Sequence, residues 1–427
     1  MEQSEKTADI LARARAEIDA ADREMADAFS RRMAAVTRIA AQKAAAGLPI
    51  YNGAREEAVL AAALARVAEE YRPAYRQVMT SVLAASRAYQ AGRMTGNDPV
   101  LAAEGVRVLP GGLARAGEVF SLHRRVLILT DDGVPPEAVS RVAACCQAPL
   151  CLTLPAGEAS KRMENFCAIL TRMQAGGFDR TDAVLAVGGG VICDLGAFAA
   201  ACYLRGVDFY AVPTTLLAMV DASVGGKCGV NFGGVKNTVG VIRRPTGVLI
   251  DPDVLQTLPT RQMACGMAEI IKIAALCDAG LFNRLVRGEE IPLPDLIVRA
   301  VRLKCKVVAR DREEHGLRRI LNFGHTLGHG YEAASGGSLL HGECVALGML
   351  PMAAPAVREG LLAFFARVGL PSVYPYDRAA ALALTLCDKK RAGDAMRYVY
   401  VTAPGAWEIR SLPAAEFERR GKEGLPF

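Results

Sequence analysis

The chain lacks the cysteine pairs from which small secreted folds and zinc ribbons are built. Its 427 residues include twelve cysteines, but no two of them form a Cys-x-x-Cys pair. The missing pairs argue against a disulfide framework in a chain of this length and against a structural zinc ribbon. Because unpaired thiols in this number are typical of a reducing compartment, we expect a cytoplasmic protein.

Blocks of like charge and uninterrupted apolar runs are also missing. The net charge is only +6, and no five consecutive residues carry the same charge. We therefore expect no nucleic-acid partner. The mild excess of basic residues predicts small anionic substrates instead. The most apolar stretch, residues 183–204, contains glycines and Asp194, which predicts buried core and no membrane partner. The first residues show no apolar segment of a secretory signal, so none is expected.

Turn-forming residues are scarce in residues 1–91, where apolar side chains such as Ile10 and Ile18 recur at helical spacing. This pattern predicts a helix over about 7–46, a break at 47–53 and two further helices. Beyond a polar linker, short apolar runs alternate with helical stretches and glycine turns, which is typical of a mostly parallel sheet with crossover helices. These runs lie at 126–129, 183–187 and 209–212, and the pattern is helical again from about 254 until a strand-like run at 398–401.

The sequence thus predicts a multidomain chain in which helical and α/β parts follow one another. The expected parts are an all-α helical module over 1–92, a linker over 93–100, a nucleotide-binding α/β domain over 101–253 and an α-rich metal- and substrate-binding domain over 254–427.

A glycine turn, Gly188-Gly189-Gly190, ends one of the predicted strands. Glycines let the backbone approach a pyrophosphate, and the start of the following helix favours its charge. The dinucleotide fingerprint is incomplete because Cys193 takes its last glycine position, so a tight structural turn remains the alternative. Thr214 and Thr215 follow the next strand and offer hydroxyls at the sheet edge where ligands gather.

Histidine is rare, yet three of the five histidines lie between positions 325 and 341. His325 and His329 are one helical turn apart, and His341 follows a glycine-containing loop. Two imidazoles and one carboxylate are the usual ligands of a catalytic zinc that keeps one position open. A lone histidine is more often a structural polar residue, but three this close, with Glu269 available, favour a metal site.

The helical module places polar side chains on common faces. Arg32 and Lys43 are eleven residues apart, close to three full turns, and Ser86 and Gln90 are one turn apart. A solvated charged helix is one interpretation, and a polar pocket for a dianion is the other.

The segments around Arg15, Ser30-Arg-Arg32, Lys43, Gly47-Leu-Pro-Ile-Tyr51 and Arg55-Glu56 resemble the all-helical class of chorismate mutases. The resemblance implies a homodimer in which Arg15 reaches into the partner's pocket. It assigns the chorismate carboxylates to Arg15, Arg32 and Arg55, the ether oxygen to Lys43 and Gln90, and the ring hydroxyl to Glu56 and Ser86. Asn52 stands where the family commonly has aspartate, which leaves open a weak or purely regulatory module.

Residues from about 105 to 410 resemble 3-dehydroquinate synthases, which are sugar-phosphate cyclases. The motifs that carry this are Gly188-Gly-Gly-Val-Ile-Cys-Asp194, Pro213-Thr-Thr-Leu-Leu-Ala-Met-Val-Asp-Ala-Ser-Val-Gly-Gly-Lys227, Gly266-Met-Ala-Glu-Ile-Ile-Lys272, Leu321-Asn-Phe-Gly-His-Thr-Leu-Gly-His329 and His341-Gly-Glu343. The resemblance implies a Rossmann-like NAD-binding domain, the cofactor NAD and a divalent metal, Zn²⁺ or Co²⁺.

The same resemblance assigns roles to individual residues of this chain. The metal ligands are Glu269, His325 and His341. The nucleotide contacts are Glu158, Lys161, Gly189, Gly190, Asp194, Thr214, Thr215 and Thr257. The substrate residues are Asp221, Lys227, Lys236, Asn237, Lys272, Lys304, Arg318, Asn322, His329 and one of Lys389 and Lys390, with Arg205 reaching the phosphate site of a neighbouring subunit.

The implied reaction converts a seven-carbon keto-acid phosphate to 3-dehydroquinate by oxidation, loss of phosphate, reduction and aldol closure, so NAD is regenerated in each turnover. Several family positions differ here, since Ala222, Cys228, Cys193 and Gln262 replace the usual residues, and we expect altered nucleotide affinity at most. Three alternatives remain. They are a related cyclase acting on sedoheptulose or glucose phosphates, a metal-dependent alcohol dehydrogenase with net reduction of NAD, and a helical module that only dimerises or senses prephenate.

Overall fold

The computed structural model describes residues 2–46, 53–94, 98–387, 391–392, 395–423 and 427. It divides into two compact units, Met1–Asn97 and Asp98–Phe427. Three residues with predicted roles, Asn52, Lys389 and Lys390, lie outside the described residues, as does most of the predicted helix break. Among the described residues, no helix combines the length and the apolar character needed to cross a membrane.

The described residues of the first unit form helices, with a short turn over 65–68, as the shortage of turn formers predicts. The core of this unit is small and includes Val36, Ala40 and Leu83, while every described side chain of residues 10–31 is exposed. Its helices are α1 Glu2–Ala46, α2 Gly53–Leu64 and α3 Arg72–Met94, and both α1 and α2 pack against α3. The first helix therefore begins about a turn before the predicted start near residue 7.

A parallel sheet organises the first half of the second unit. Its six strands are ordered β1-β8-β5-β4-β2-β3, and β6 and β7 form a separate antiparallel hairpin. The predicted strands at 126–129, 183–187 and 209–212 are confirmed as β2, β4 and β5. The strands are β1 Val106–Val108, β2 Arg125–Asp131, β3 Ala148–Leu154, β4 Ala183–Gly188, β5 Asp208–Pro213, β6 Lys227–Phe232, β7 Val235–Ile242 and β8 Gly247–Ile250.

Helices cover this sheet and form most of the remaining chain. They are α4 Pro99–Ala103, α5 Ala116–Val119, α6 Pro136–Ala143, α7 Met163–Ala175, α8 Gly190–Cys202, α9 Thr260–Cys277, α10 Ala279–Arg287, α11 Leu293–Arg310, α12 His325–Ala334, α13 His341–Met349, α14 Pro355–Val368, α15 Arg378–Cys387 and α16 Ala414–Glu423. The last strands are β9 Arg391–Ala392, β10 Ala395–Ala403 and β11 Ala406–Pro413, so the strand-like run at 398–401 lies in β10.

The chain turns helical again before the predicted linker, residues 93–100, ends. The carboxylate of Asp98 accepts a hydrogen bond from the Val100 amide at 2.8 Å and caps α4, whose first residue is Pro99. A proline at the first helical position is favourable because its missing N–H would have no intrahelical partner. Since α3 ends at Met94 and α4 begins at Pro99, both helices extend into the range predicted as linker.

Two glycines let the helices that carry the histidines approach their neighbours closely. A Cβ on Gly348 of α13 would lie 2.0 Å from the carbonyl oxygen of Gly324, which precedes α12. A Cβ on Gly342 would lie 2.4 Å from Cα of Cys265 on α9. Since no larger side chain fits at either contact, α13 packs directly on α12 and on α9.

Candidate active sites

Three side chains from well-separated stretches meet beside α9. Glu269 comes from α9, His325 is the first residue of α12 and His341 is the first residue of α13. Oε1 of Glu269 lies 3.9 Å from Nε2 of His325 and 4.0 Å from Nε2 of His341. The three candidate ligand atoms all lie within 4.8 Å of one another.

The environment of Glu269 fits a bound cation. Both of its carboxylate oxygens are buried, and among the described residues neither accepts a hydrogen bond. Lys272, one turn further on α9, forms an ion pair with one oxygen without hydrogen-bond geometry. A buried carboxylate without hydrogen bonds is unfavourable, and a divalent ion shared with two imidazoles removes this penalty. The residues present therefore fit Zn²⁺ or Co²⁺ with a position left for substrate.

Both imidazoles of this set are oriented through their second nitrogen. Nδ1 of His325 lies 3.3 Å from the carbonyl oxygen of Phe323, and Nδ1 of His341 lies 3.1 Å from Oε2 of Glu332. Because both oxygens can only accept, each Nδ1 carries the proton and each Nε2 keeps its lone pair for a metal. The ring of His329 stands beside the set, with its centroid 5.4 Å from that of His325.

Glu332 is a residue that the sequence interpretation missed, and it contacts two predicted site residues, His341 and Lys236. Its carboxylate also accepts a hydrogen bond from Nζ of Lys236 at 2.8 Å. Burial raises the pKa of Glu332, but the contacts with His341 and Lys236 outweigh it and lower the pKa to about 2. For His341, burial lowers the pKa, but Glu332, Glu269 and Asp221 together raise it above its usual value. The sequence held a signal for Glu332, because it lies seven residues after His325 and therefore on the same helical face.

Two predicted substrate residues form an ion pair in which Lys304 is buried and Asp221 is half-buried. Nζ of Lys304 donates to Oδ1 of Asp221 at 2.5 Å and to its backbone oxygen at 2.6 Å. Burial raises the pKa of Asp221, but the ammonium groups of Lys304 and Lys272 outweigh it and lower that pKa. Burial lowers the pKa of Lys304, and the carboxylate of Asp221 opposes this shift, because a buried ammonium group needs compensating charge.

Glu314 is a second residue that the sequence interpretation missed. It lies between α11 and α12, forms an ion pair with Lys227 and accepts a hydrogen bond from Nδ2 of Asn322 at 2.7 Å. Its φ angle is 62°, a left-handed conformation that is unfavourable for a residue other than glycine and often marks functional sites. A loop carboxylate belongs to no periodic pattern, so only the folded chain reveals that it joins two predicted substrate residues. Nearby, Nη2 of Arg318 donates to the Gly225 carbonyl oxygen at 2.8 Å.

Lys161 joins the predicted nucleotide residues to the predicted substrate residues. Its buried ammonium pairs with Asp194 and donates to Oδ1 of Asn237 at 2.5 Å. Asn237 has a φ angle of 52° and belongs to the β6–β7 hairpin. Glu158, another predicted nucleotide residue, contacts the same hairpin, because its Oε1 accepts a hydrogen bond from Nδ2 of Asn231 on β6 at 2.8 Å. The β6–β7 hairpin therefore contacts predicted nucleotide residues and itself carries predicted substrate residues.

The glycine turn brings its neighbours as close as expected of a cofactor cradle. A Cβ on Gly189 would lie 3.3 Å from the methyl group of Thr215, and a Cβ on Gly190 would lie 3.3 Å from that of Ala222. Thr214 is buried beside it and donates its amide to the Gly188 carbonyl oxygen at 2.9 Å.

Two other predicted residues have local surroundings only. The hydroxyl of Thr257 donates to the Val254 carbonyl oxygen at 3.3 Å, and no hydrogen bond to another predicted nucleotide residue is found among the described residues. Arg205 is exposed, with a φ angle of 64°.

The helical unit holds part of its own predicted site together. Arg32 on α1 donates to the hydroxyl of Ser86 on α3, and Ser86 is buried. One turn further, Oε1 of Gln90 is buried and has no hydrogen-bond partner among the described residues. Lys43 and Glu56 are half-buried, whereas Arg15 and Arg55 are exposed. An unpaired buried amide oxygen is unfavourable, so this pocket fits a polar ligand that can donate to it.

A salt bridge ties the start of α13 to α9. Nε and Nη2 of Arg261 donate to the two carboxylate oxygens of Glu343 at 2.6 and 2.7 Å. Glu343 also accepts from the Leu340 amide at 2.8 Å, which satisfies an N–H at the start of the helix. This contact fixes His341 at the end of α13 that faces Glu269.

Family models match three parts of the chain. The model described as 3-dehydroquinate synthase N-terminal matches residues 151–265, and that described as 3-dehydroquinate synthase C-terminal matches residues 266–391. Residues 14–91 match the model described as chorismate mutase type II.

Individual relatives agree with these matches. A 3-dehydroquinate synthase of Latilactobacillus sakei subsp. sakei (strain 23K) is 38% identical, over 70% of this chain and 88% of its own. Among solved structures, ValA, a 2-epi-5-epi-valiolone synthase from Streptomyces hygroscopicus subsp. jinggangensis 5008 with NAD⁺ and Zn²⁺ bound, has a TM-score of 0.69 and 29% identity, covering 75% of this chain and 96% of its own. A 2-deoxy-scyllo-inosose synthase has a TM-score of 0.67 at 23% identity, covers 75% of this chain and 96% of its own, and shares the fold.

Proposed function

We propose, because the chain belongs to the 3-dehydroquinate synthase family, that it converts 3-deoxy-D-arabino-heptulosonate 7-phosphate to 3-dehydroquinate and phosphate. Its helical unit converts chorismate to prephenate, which makes the chain a bifunctional enzyme of the shikimate pathway. The observation that carries the cyclase is the convergence of Glu269, His325 and His341 on one point.

The chain's own residues account for the binding of the substrate and of both cofactors. Glu269, His325 and His341 hold the divalent metal, and the Gly189–Gly190 turn with Lys161 and Asp194 holds NAD. When bound, the metal would acidify a substrate hydroxyl, and NAD would accept and return hydride. The cations Lys227, Lys272, Lys304 and Arg318 supply charge-assisted hydrogen bonds to the phosphate and carboxylate of the substrate. His329, beside the metal set, transfers the proton of the substrate hydroxyl that is oxidised.

The mutase reaction requires no covalent step, so binding and charge placement suffice. Arg32, held by Ser86, binds a carboxylate of chorismate, with Arg15 and Arg55 completing the set. Lys43 and Gln90 donate to the ether oxygen, where negative charge grows as the bond breaks, and Glu56 orients the ring hydroxyl. The unpaired Oε1 of Gln90 supports a ligand in this pocket, although its amide nitrogen is the group that donates to the ether oxygen.

We propose a homodimer for the intact chain. Ile18, Met25 and Phe29 of α1 are exposed along one side of a helix whose residues 10–31 no other described segment covers. A groove beside Phe29 is lined by apolar side chains such as Val78. A second copy would cover this face, and Arg15 of each copy would reach the mutase pocket of the other. A monomeric mass near 45.3 kDa in sedimentation at micromolar concentration would contradict the dimer.

The compartment follows from the cysteines. Eleven cysteines are free among the described residues. Burial raises the pKa of thiols such as those of Cys193 and Cys344. Such thiols suit the reducing cytoplasm, where small anionic metabolites are the partners.

The purified chain is tested by incubation with the heptulosonate phosphate, catalytic NAD⁺ and Zn²⁺. We expect one phosphate and one dehydroquinate per substrate consumed, with no net formation of NADH. Sustained accumulation of NADH would identify a dehydrogenase instead. Turnover of sedoheptulose 7-phosphate or glucose 6-phosphate, with no turnover of the keto acid, would identify a related cyclase.

A further inference from the structure

Glu332 joins the metal ligands to the β6–β7 hairpin. One oxygen of its carboxylate lies 3.1 Å from Nδ1 of His341, and the other lies 2.8 Å from Nζ of Lys236. The side chain of Glu332 is 12% exposed, whereas those of His341 and Lys236 are 32% and 40% exposed. Glu332 is thus the least exposed of the three, and its two partners are less confined by packing.

We propose that Glu332 is a positioning residue that sets the orientation of His341 for the metal and, through its second oxygen, the place of Lys236. The proposal rests on the proposed function, because it requires a metal at Glu269, His325 and His341. This role requires no contact between Glu332 and the substrate.

The chemistry of the contact with Glu332 determines the orientation of His341. A carboxylate oxygen can only accept, so the proton of the neutral ring stays on Nδ1 and the lone pair stays on Nε2. That Nε2 atom lies 4.0 Å from Oε1 of Glu269, on the side where the ligand atoms converge. His325 is held differently, by the backbone carbonyl of Phe323, which no side-chain substitution removes. Glu332 is therefore a side chain through which the orientation of His341 can be altered.

The position of Lys236 depends on the hairpin that carries it. β7 pairs only with β6 among the described strands, and most of its side chains are exposed. A two-stranded hairpin is marginal without further packing, so a contact from α12 restrains where Lys236 stands. One carboxylate therefore aligns a metal ligand and a predicted substrate residue that come from different parts of the fold.

The test is a cobalt titration of the metal-free full-length chain, followed by the visible absorption of bound Co²⁺. We expect Glu332→Gln to raise the Kd for Co²⁺ by about 10- to 100-fold, the range found when partners of metal-binding histidines are removed. Glu332→Asp keeps the charge and should recover part of the affinity. Lys236→Met removes a cation near the site and should not weaken Co²⁺ binding, although it raises KM for the heptulosonate phosphate.

A matched control separates the contact from a general loss of charge. Glu289 pairs with Arg284 and Arg287 on the surface, so Glu289→Gln should leave the Kd for Co²⁺ unchanged. Denaturation followed by the fluorescence of Trp407, the single tryptophan, reports whether each variant is folded.

The outcomes distinguish the two levels of the account. If folded Glu332→Gln binds Co²⁺ as tightly as the unmodified chain, the positioning role of Glu332 is overturned. If the unmodified chain binds no Co²⁺, or if His341→Ala leaves the affinity unchanged, the metal site of the proposed function fails instead. If neither Glu332 variant folds, the carboxylate supports the fold rather than the ligand, and the proposal is likewise overturned.

Discussion

A chelator is expected to abolish phosphate release from the heptulosonate phosphate while the conversion of chorismate to prephenate continues unchanged. The physical reason is that the metal ligands Glu269, His325 and His341 belong to the second unit, and no comparable group of ligands is found among the described residues of the helical unit. Metal catalysis contributes several kcal/mol, so the cyclase rate should fall by about 10³-fold or more.

The same loss should follow from changing one ligand. His341→Ala is expected to lower kcat/KM of the cyclase by about 10³-fold, since the remaining two ligands bind a divalent ion weakly. His123→Ala is the matched control, because His123 is an exposed histidine that precedes β2 and has no predicted role. Both activities are measured on one preparation. Parallel loss of the mutase on chelation would contradict independent sites.

Arg32→Ala should produce the reciprocal result. Arg32 is held by Ser86 in the helical unit, where it is positioned for a carboxylate of chorismate. Losing charge-assisted hydrogen bonds worth about 3 kcal/mol lowers kcat/KM of the mutase by about 10²-fold or more. The cyclase should keep its rate, because its assigned residues all lie in the second unit.

The neighbouring arginine provides the control for this substitution. Arg31 is exposed on α1 and points about 100° away from Arg32, so Arg31→Ala should leave mutase activity within about twofold. If Arg31→Ala and Arg32→Ala behave alike, general charge rather than a specific pocket determines the rate. If Arg32→Ala has no effect in a chain that remains an active mutase, the assignment of Arg32 is wrong. A chain without any mutase activity would support the purely regulatory module.

Strongly periodic and strongly apolar segments were predictable from the sequence. α1 follows from the helical spacing of its apolar side chains, and β2, β4 and β5 follow from apolar runs that are buried on both faces of the sheet. The β6–β7 hairpin was not predicted, although the Gly233–Gly234 turn between its strands is a known hairpin signal. Seven of the eight residues of β7 are exposed, so hydrophobic periodicity carried little information there.

The site was predictable where its chemistry is rare in sequence. Histidines one turn apart beside a third are unusual, and the structure places two of them against Glu269. Glu332 and Glu314 were missed because single acidic residues are common, and their partners His341, Lys236 and Lys227 come from other elements. Such contacts depend on how α12 and the hairpin meet, which no local pattern encodes.

Anomalous diffraction at the zinc edge, from crystals of the full chain grown with Zn²⁺ and NAD⁺, tests the account most directly. It should reveal one strong peak per chain within about 2.2 Å of Nε2 of His325, Nε2 of His341 and a carboxylate oxygen of Glu269. A zinc-loaded, active crystal form with no peak among these three side chains, or with its zinc bound elsewhere, would contradict it.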